Sequence, residues 1–127
     1  MRKNWFRAMA NGSWTSGSLI EYDDGTYITF NAGNAVYTVP VDRNTVCRFT
    51  GASDKDSNAI FEGDVLRAEY PDGGKEYFLV KWCEPMCKFV MVDSKYGHHE
   101  TLYKCSEDVE IIGDIFENPE LKEWFDA

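Results

Sequence analysis

The stretch from residue 54 to residue 66 constrains the fold more than any other part of this sequence. Its first part, Asp54–Asn58, is polar and turn-prone, because Asp, Ser and Asn side chains hydrogen-bond to their own backbone. Ile60 and Phe61 then add two large apolar residues, and Glu62-Gly63-Asp64 interrupts the chain before a new β-type segment. The pattern predicts a turn at the entrance to a small β-barrel formed by the residues downstream.

Charge and size limit the partners of the chain. With 127 residues, of which 43% are hydrophobic and 15% aromatic, it is long enough for one packed domain. The net charge is −9, and residues 106–127 carry eight acidic residues against one lysine. Because an acidic surface repels phosphate backbones, this composition disfavours binding to DNA or RNA but is compatible with a basic protein partner.

The sequence also predicts where the protein resides. It has no apolar run of the length that a membrane span requires, and its first residues lack the apolar segment of a signal peptide. We therefore expect a cytoplasmic protein that does not contact a membrane and whose four cysteines are reduced thiols.

Residues 1–50 are predicted to form an N-terminal β-hairpin region. Asn11-Gly12 is a strong turn signal, and Asp23-Asp24-Gly25 separates two β-prone segments, residues 19–22 and 26–30. A further short strand over residues 35–39 ends at Pro40, which cannot donate to a β-ladder. Residues 45–49 are β-prone as well, and Thr50-Gly51 is expected to end that strand.

The later part of the chain alternates apolar and polar residues more regularly. Strands are predicted over residues 64–70, 76–82, 88–92, 100–104 and 109–116. This spacing is typical of a small barrel or sandwich and not of a βαβ fold. Asn118 and Pro119 then suit the start of a short C-terminal helix, which should pack its apolar face against the sheet.

Several segments resemble the YopX family of bacteriophage and prophage proteins. They are Trp5–Met9, Thr45–Gly51, Asp54–Asp56, Ile60–Val65 and Glu110–Leu121. The resemblance implies a single, mainly-β domain over residues 1–127, with an N-terminal β region (1–50) and an SH3-like small barrel plus a short C-terminal helix (58–127). It also implies a phage or prophage protein in the cytoplasm of a bacterial host cell. It implies no activity and no site residues.

The cysteines and histidines are the first candidates for a metal site. Cys83 and Cys87 have a spacing that zinc sites use, and His98, His99 and Cys105 follow. A strand over residues 88–92 would carry the chain about 17 Å away, at about 3.3 Å per residue, so the histidines are expected far from the first two cysteines. We therefore expect reduced thiols, no metal and no cofactor, while metal binding by Cys83, Cys87 and Cys105 stays open.

The sequence offers no catalytic constellation, so no catalytic residue is assigned and the protein is predicted not to be an enzyme. Gly12–Ser18 has the glycine spacing of a phosphate loop but lacks the lysine that reaches the phosphates. Glu62 and Asp64 could in principle act as an acid–base pair, but they flank Gly63 in a turn, where capping or solvation accounts for them. Nucleophilic catalysis has no positive support either.

The leading functional hypothesis is an accessory protein that binds another protein, or itself, through an edge strand or an aromatic groove. Small barrels of the SH3 type bind peptides through aromatic grooves, and Tyr70, Tyr77 and Trp82 are the predicted interaction surface. Open strand edges often pair with another chain, so a homo-oligomer is expected.

The alternative hypothesis is a role with nucleic acid. Arg43, Arg48, Lys55 and Arg67 could form a local basic patch for nucleic acid, although the net charge opposes it. In a variant of this hypothesis the acidic C-terminal residues mimic DNA and occupy a DNA-binding protein of the host.

Overall fold

The computed structural model describes residues 5–102 and 108–125. The chain divides into two compact units, residues 1–49 and residues 50–127, which we call the first and the second unit. Strand β5 (Cys47–Ser53) begins in the first unit and ends in the second.

The first unit is a series of β-hairpins. Its strands are β1 (Phe6–Ala10), β2 (Ser13–Tyr22), β3 (Gly25–Ala32) and β4 (Ala35–Pro40), followed by a 3₁₀ turn, Arg43–Thr45. Each strand pairs antiparallel with the next, and β1 also pairs with the start of β5. Asn11 and Gly12 both have positive φ, 53° and 83°, as the predicted tight hairpin turn requires. The predicted turns at Asn11-Gly12 and at Asp23-Asp24-Gly25 are confirmed.

Gly17 lies where β2 changes its partner. Residues 13–17 of β2 pair with β1, and residues 18–22 pair with β3. A Cβ atom at Gly17 would lie 2.3 Å from the carbonyl oxygen of Thr29 and 2.9 Å from Cγ2 of Ile28. Ile28 itself is completely buried. Glycine at position 17 therefore allows the backbones of β2 and β3 to approach each other closely beside the buried Ile28.

The second unit contains the remaining elements. Its strands are β6 (Ala59–Phe61), β7 (Asp64–Glu69), β8 (Lys75–Cys83), β9 (Lys88–Asp93), β10 (His99–Thr101) and β11 (Val109–Asp114), followed by helix α1 (Pro119–Lys122) and a 3₁₀ turn, Glu123–Phe125. Five of them form an antiparallel sheet in the order β10-β9-β8-β7-β11.

Both faces of β8 are buried in the second unit. Phe78 and Val80 belong to the main core cluster, whose buried members are Ala52, Ile60, Leu66, Ala68, Phe78, Val80, Met91 and Val109. Leu79 lies on the other face and packs with Val65 and with Leu121 of helix α1. The predicted packing of the C-terminal helix on the sheet is thereby confirmed.

The predicted mainly-β class and the short C-terminal helix are confirmed. The described strands form two antiparallel sheets, and neither sheet closes on itself. The SH3-like barrel is therefore not seen as a closed sheet. The strand at one end of the five-stranded sheet, β10, has only three residues. At the other end, a turn covers the outer side of β11, because the amide of Lys55 donates to the carbonyl of Val109.

Candidate protein-interaction surface

Tyr70 is the most exposed of the three predicted interaction residues. It follows β7 directly and keeps 44% of its surface accessible. Its hydroxyl donates a hydrogen bond to the carboxylate of Glu76, and this bond raises the pKa of Tyr70 to about 12. Because the carboxylate holds the hydroxyl in place, the ring is positioned at the end of the β7–β8 hairpin.

Tyr77 and Trp82 are half-buried and lie on opposite faces of β8, since they are an odd number of positions (five) apart along the strand. The ring of Tyr77 packs edge-on against Trp124, with 4.9 Å between centroids. Trp82 packs edge-on against Phe89 at 5.0 Å, and its Nε1 donates to Glu84 at 3.1 Å. The structure therefore does not bring the three predicted aromatic residues onto one surface, and their binding role stays a prediction.

The predicted separation of cysteines and histidines is wrong for one pair. Sγ of Cys83 lies 3.9 Å from Nδ1 of His99. His99 pairs with Val92 near the far end of β9, whereas Cys83 pairs with Lys88 at its near end, so the strand register does not account for this contact. Cys87 is exposed, and Cys105 lies outside the described residues. Within residues 5–102 and 108–125, no three side chains of the metal-binding types come together.

Asp54 anchors the turn that opens the second unit. It is 2% exposed, and its Oδ1 accepts hydrogen bonds from the amides of Asp56 and Asn58, at 3.0 and 2.9 Å. Its Oδ2 accepts from the amide of Ile111 at 3.1 Å. Burial acts to raise the pKa of Asp54, but the hydrogen bonds from these amides outweigh it and lower the pKa. This carboxylate therefore holds a turn against β11.

Three further buried aspartates have the same kind of role. Asp93 accepts from the amides of Lys95, Tyr96 and His98, and the bond from Tyr96 contributes most to lowering its pKa. Asp114 accepts from two amides of the following turn. Asp64 accepts from the amide of Phe61 at 2.8 Å, which confirms the predicted capping of the turn around Gly63. All these carboxylates stabilise turns, and Asp54, Asp64 and Asp114 lie in segments that resemble the YopX family.

The predicted basic residues are divided between the units. Arg43 lies 3.9 Å from Glu21 in the first unit, and Arg67 pairs with the carboxylate of Glu110 in the second. A guanidinium beside a carboxylate contributes less positive potential to the surface. This pairing weakens the case for a nucleic-acid patch.

The outer edge of β4 is a candidate binding surface, because β4 is the last strand at one end of its sheet. Among the described strands, β4 pairs with β3 alone. Ala35–Val39 contains no charged residue, and 71% of Val36 and 49% of Tyr37 are exposed. The sequence predicted this strand but not its place at an edge, for which Pro40 was the available signal.

One hydrogen bond fixes which backbone groups of this edge point outward. The amide of Val41 donates to the carbonyl of Thr26 at 3.0 Å, continuing the β3–β4 ladder. Because hydrogen-bonding direction alternates along a strand, the odd-numbered residues of β4 turn toward β3. Val36 and Thr38 therefore direct their N–H and C=O groups away from the sheet. Pro40, which has no N–H, also occupies an outward position and breaks no hydrogen bond of the ladder.

The side chains of β4 are held by β3. The ring of Tyr37 stacks on Phe30 with 5.6 Å between centroids, and the Thr38 hydroxyl donates to that of Thr29 at 3.2 Å. A polar groove of about 540 Å³ lies over β2 and β3 and reaches β4 at Val36. Its lining residues are Ser16, Gly17, Ser18, Thr29, Phe30, Asn31 and Val36. The edge thus combines free backbone groups with an ordered aromatic pair and an adjoining groove.

No helix in the part of the chain that the structure describes is long and apolar enough to cross a membrane.

Comparison with known proteins agrees with the fold. The chain is similar to the crystal structure of protein EF1440 from Enterococcus faecalis, with 18% sequence identity and a TM-score of 0.58. The match covers 94% of this chain and 97% of that one. No curated protein matches the chain. The sequence profile of the family described as YopX protein matches residues 7–123, nearly the whole chain. The chain therefore belongs to the YopX family.

Proposed function

We propose that this protein is a non-enzymatic interaction module that binds a protein strand along the outer edge of β4. The supporting observation is the outward set of N–H and C=O groups at Val36 and Thr38, on a strand with no charge and with exposed apolar side chains. A strand edge of this kind accepts a further strand through main-chain hydrogen bonds.

The edges of the second unit support the choice of β4. There the amide of Lys55 donates to the carbonyl of Val109, and Asp54 accepts from the amide of Ile111, so a turn covers the outer side of β11. Strand β10 has three residues, one of them Glu100. Short, charged or covered edges resist pairing with another chain.

The proposal also covers the origin of the protein, its location and the type of its second unit. We propose that the protein has its origin in a phage or prophage and acts in the cytoplasm of the bacterial host. Its second unit is then a relative of the SH3 type, and binding by Tyr70, Tyr77 and Trp82 is a separate proposal that does not depend on β4.

Selection of peptides from a displayed library of extended seven-residue sequences, on immobilised protein, tests this proposal. We expect the selected peptides to lose at least tenfold in affinity for the Val36→Pro variant, which lacks one outward N–H. Val36→Thr is the matched control, because it keeps the N–H and the β-branched side chain and should bind normally. Thermal unfolding verifies that both variants fold. Equal binding to wild type and Val36→Pro would overturn the proposal.

A second candidate rests on the charge of the second unit. Residues 50–127 contain 18 acidic and 8 basic residues, a net charge of −10. Such a surface suits a basic protein, including a host DNA-binding protein whose nucleic acid it would replace. We expect no retardation of single- or double-stranded DNA by the protein in gel shifts at low salt, and retardation would contradict this candidate.

A further inference from the structure

We infer that the strand bound at β4 is β4 of a second copy of this chain, paired antiparallel with Tyr37 facing the partner's Tyr37. This inference rests on the proposed function and adds the partner and the register. It follows from the backbone directions, the charge and the side chains of the strand.

The backbone directions favour one register. If Val36 lies opposite the partner's Thr38, the outward N–H and C=O groups of the two residues face each other. By symmetry, Thr38 then lies opposite the partner's Val36. Each of these two facing pairs exchanges two hydrogen bonds, so the contact contains four.

Neighbouring registers are poorer. Moving the centre to Thr38 places Val36 opposite the partner's Pro40, which has no N–H to donate. Moving the centre to Val36 places Thr38 opposite the partner's Asn34, which lies in the β3–β4 turn. Of these three registers, the one centred on Tyr37 lets the N–H groups of both Val36 and Thr38 donate to a carbonyl in β4 of the partner.

The distribution of charge favours a second copy at this edge. The whole chain carries −9, so two copies repel each other on average. The first unit, however, has five basic and four acidic residues, and β4 itself has none of either kind. Pairing through β4 therefore joins two nearly neutral surfaces, with no like charges directly opposite each other.

The side chains of β4 are complementary to themselves in this register. Tyr37 would face the partner's Tyr37 in a pair without hydrogen bonds, the type with the closer Cα–Cα distance of about 4.5 Å. Because each Tyr37 ring stacks on Phe30, the contact would contain a row of four rings. Val36, with 71% of its surface exposed, would gain an apolar neighbour in the methyl group of the partner's Thr38.

The contact is small. Specific, stable interfaces bury about 1,200–2,000 Å², and one pair of six-residue strands gives less. We therefore expect a weak, concentration-dependent dimer in the micromolar range.

Oxidative cross-linking tests the register. Tyr37→Cys is made with Cys87→Ser and Cys105→Ser, and the variant is oxidised with copper phenanthroline. Two thiols at position 37 would be close enough for an unstrained disulfide. Val36→Cys in the same background is the matched control. Position 36 is more exposed, but it lies on a diagonal of about 7–8 Å from its equivalent in the partner. We expect at least tenfold more dimer from position 37, and equal or greater yield from position 36 would overturn the register.

Charge reversal tests the same pairing without oxidation. Tyr37→Lys and Tyr37→Glu each place like charges opposite each other, so each variant alone should sediment as a monomer at concentrations where the wild type dimerises. An equimolar mixture should recover the dimer, because Lys then faces Glu. Thermal unfolding of each variant verifies the fold. A mixture that stays monomeric, while the wild type dimerises, would contradict the pairing.

The outcomes separate this inference from the proposed function. A wild type that is monomeric up to millimolar concentration, but whose β4 edge captures displayed peptides, would overturn the second copy as the occupant and leave the interaction module intact. A wild type that neither dimerises nor captures peptides at β4 would overturn both.

Discussion

The two units of this chain differ in charge and in core. The first has a net charge of +1 by its residue count, and its buried hydrophobic residues within the described part are Ala8, Ile28 and Cys47. The second has a net charge of −10 and a core cluster of eight buried residues. Since apolar burial is the main source of stability, the second unit contains most of what stabilises the chain.

The units differ in the same way at their strand edges. In the second unit a buried carboxylate, Asp54, and the turn that follows it cover the side of β11. In the first unit the uncharged β4 is left unpaired on its outer side within the described strands. The second unit therefore contains most of the stabilising core, and the first unit contains the exposed β4 edge. The following predictions test this difference.

The largest effect is expected in the core of the second unit. Leu66 is completely buried there, so Leu66→Ala should lower the free energy of unfolding by about 2–5 kcal/mol through lost burial and a cavity. Val36→Ala in the exposed β4 should change it by less than about 0.5 kcal/mol. Urea unfolding measures both, and a loss of similar size for the two variants would contradict this difference.

The first unit should be most sensitive at Gly17. Gly17→Ala places a methyl group 2.3 Å from a backbone oxygen that cannot rotate away, and we expect a loss of about 3 kcal/mol. Hydrogen exchange should show the loss in residues 6–40.

Gly74→Ala in the second unit is the control for this effect. Its added methyl group would lie 3.1 Å from Oδ1 of Asp72, the end of a side chain that can move. The interpretation of Gly17 fails if both variants are equally destabilised.

Acid should weaken the second unit before the first. The folded-state pKa values of Asp54 and Asp93 are lowered, so both carboxylates contribute stability above about pH 4, the range of an unfolded aspartate, and lose it as pH falls through the folded values. Urea unfolding from pH 7 to pH 2 measures this loss.

Asp54→Asn sharpens this test. The variant should lose about 2 kcal/mol at pH 7, because an amide cannot accept all three backbone hydrogen bonds, and its stability should then fall less on acidification. Equal dependence on pH in the variant and the wild type would show that the carboxylate does not provide the acid sensitivity.

The sequence predicted those strands whose ends are marked by turn chemistry. Asn11-Gly12 and Gly63 have the positive φ that their turns require, and the elements beside them begin and end where expected. The prediction failed at Gly51, which was expected to end a strand. Gly51 has a φ of +86°, but β5 continues through it to Ser53, because β6 pairs with its later part. A glycine with positive φ inside a strand cannot be distinguished from a turn without the pairing partner.

The candidate site was less predictable, since it depends on strand order. The residues of β4 were predicted to form a strand, but its position at an edge follows from pairing that a local pattern does not contain. Of the aromatic residues chosen by analogy with SH3-type barrels, Tyr77 packs on Trp124 and Trp82 packs on Phe89.

The order of the hairpins has a consequence for synthesis. In the first unit each of β2, β3 and β4 pairs with the strand just before it, so these contacts can form soon after those residues leave the ribosome. In the second unit β7 must wait for β11, more than 40 residues later, before its sheet is complete. We therefore expect the nascent chain to present its β4 edge while the second unit is still unfolded, so that neighbouring chains on one polysome could associate before either is finished.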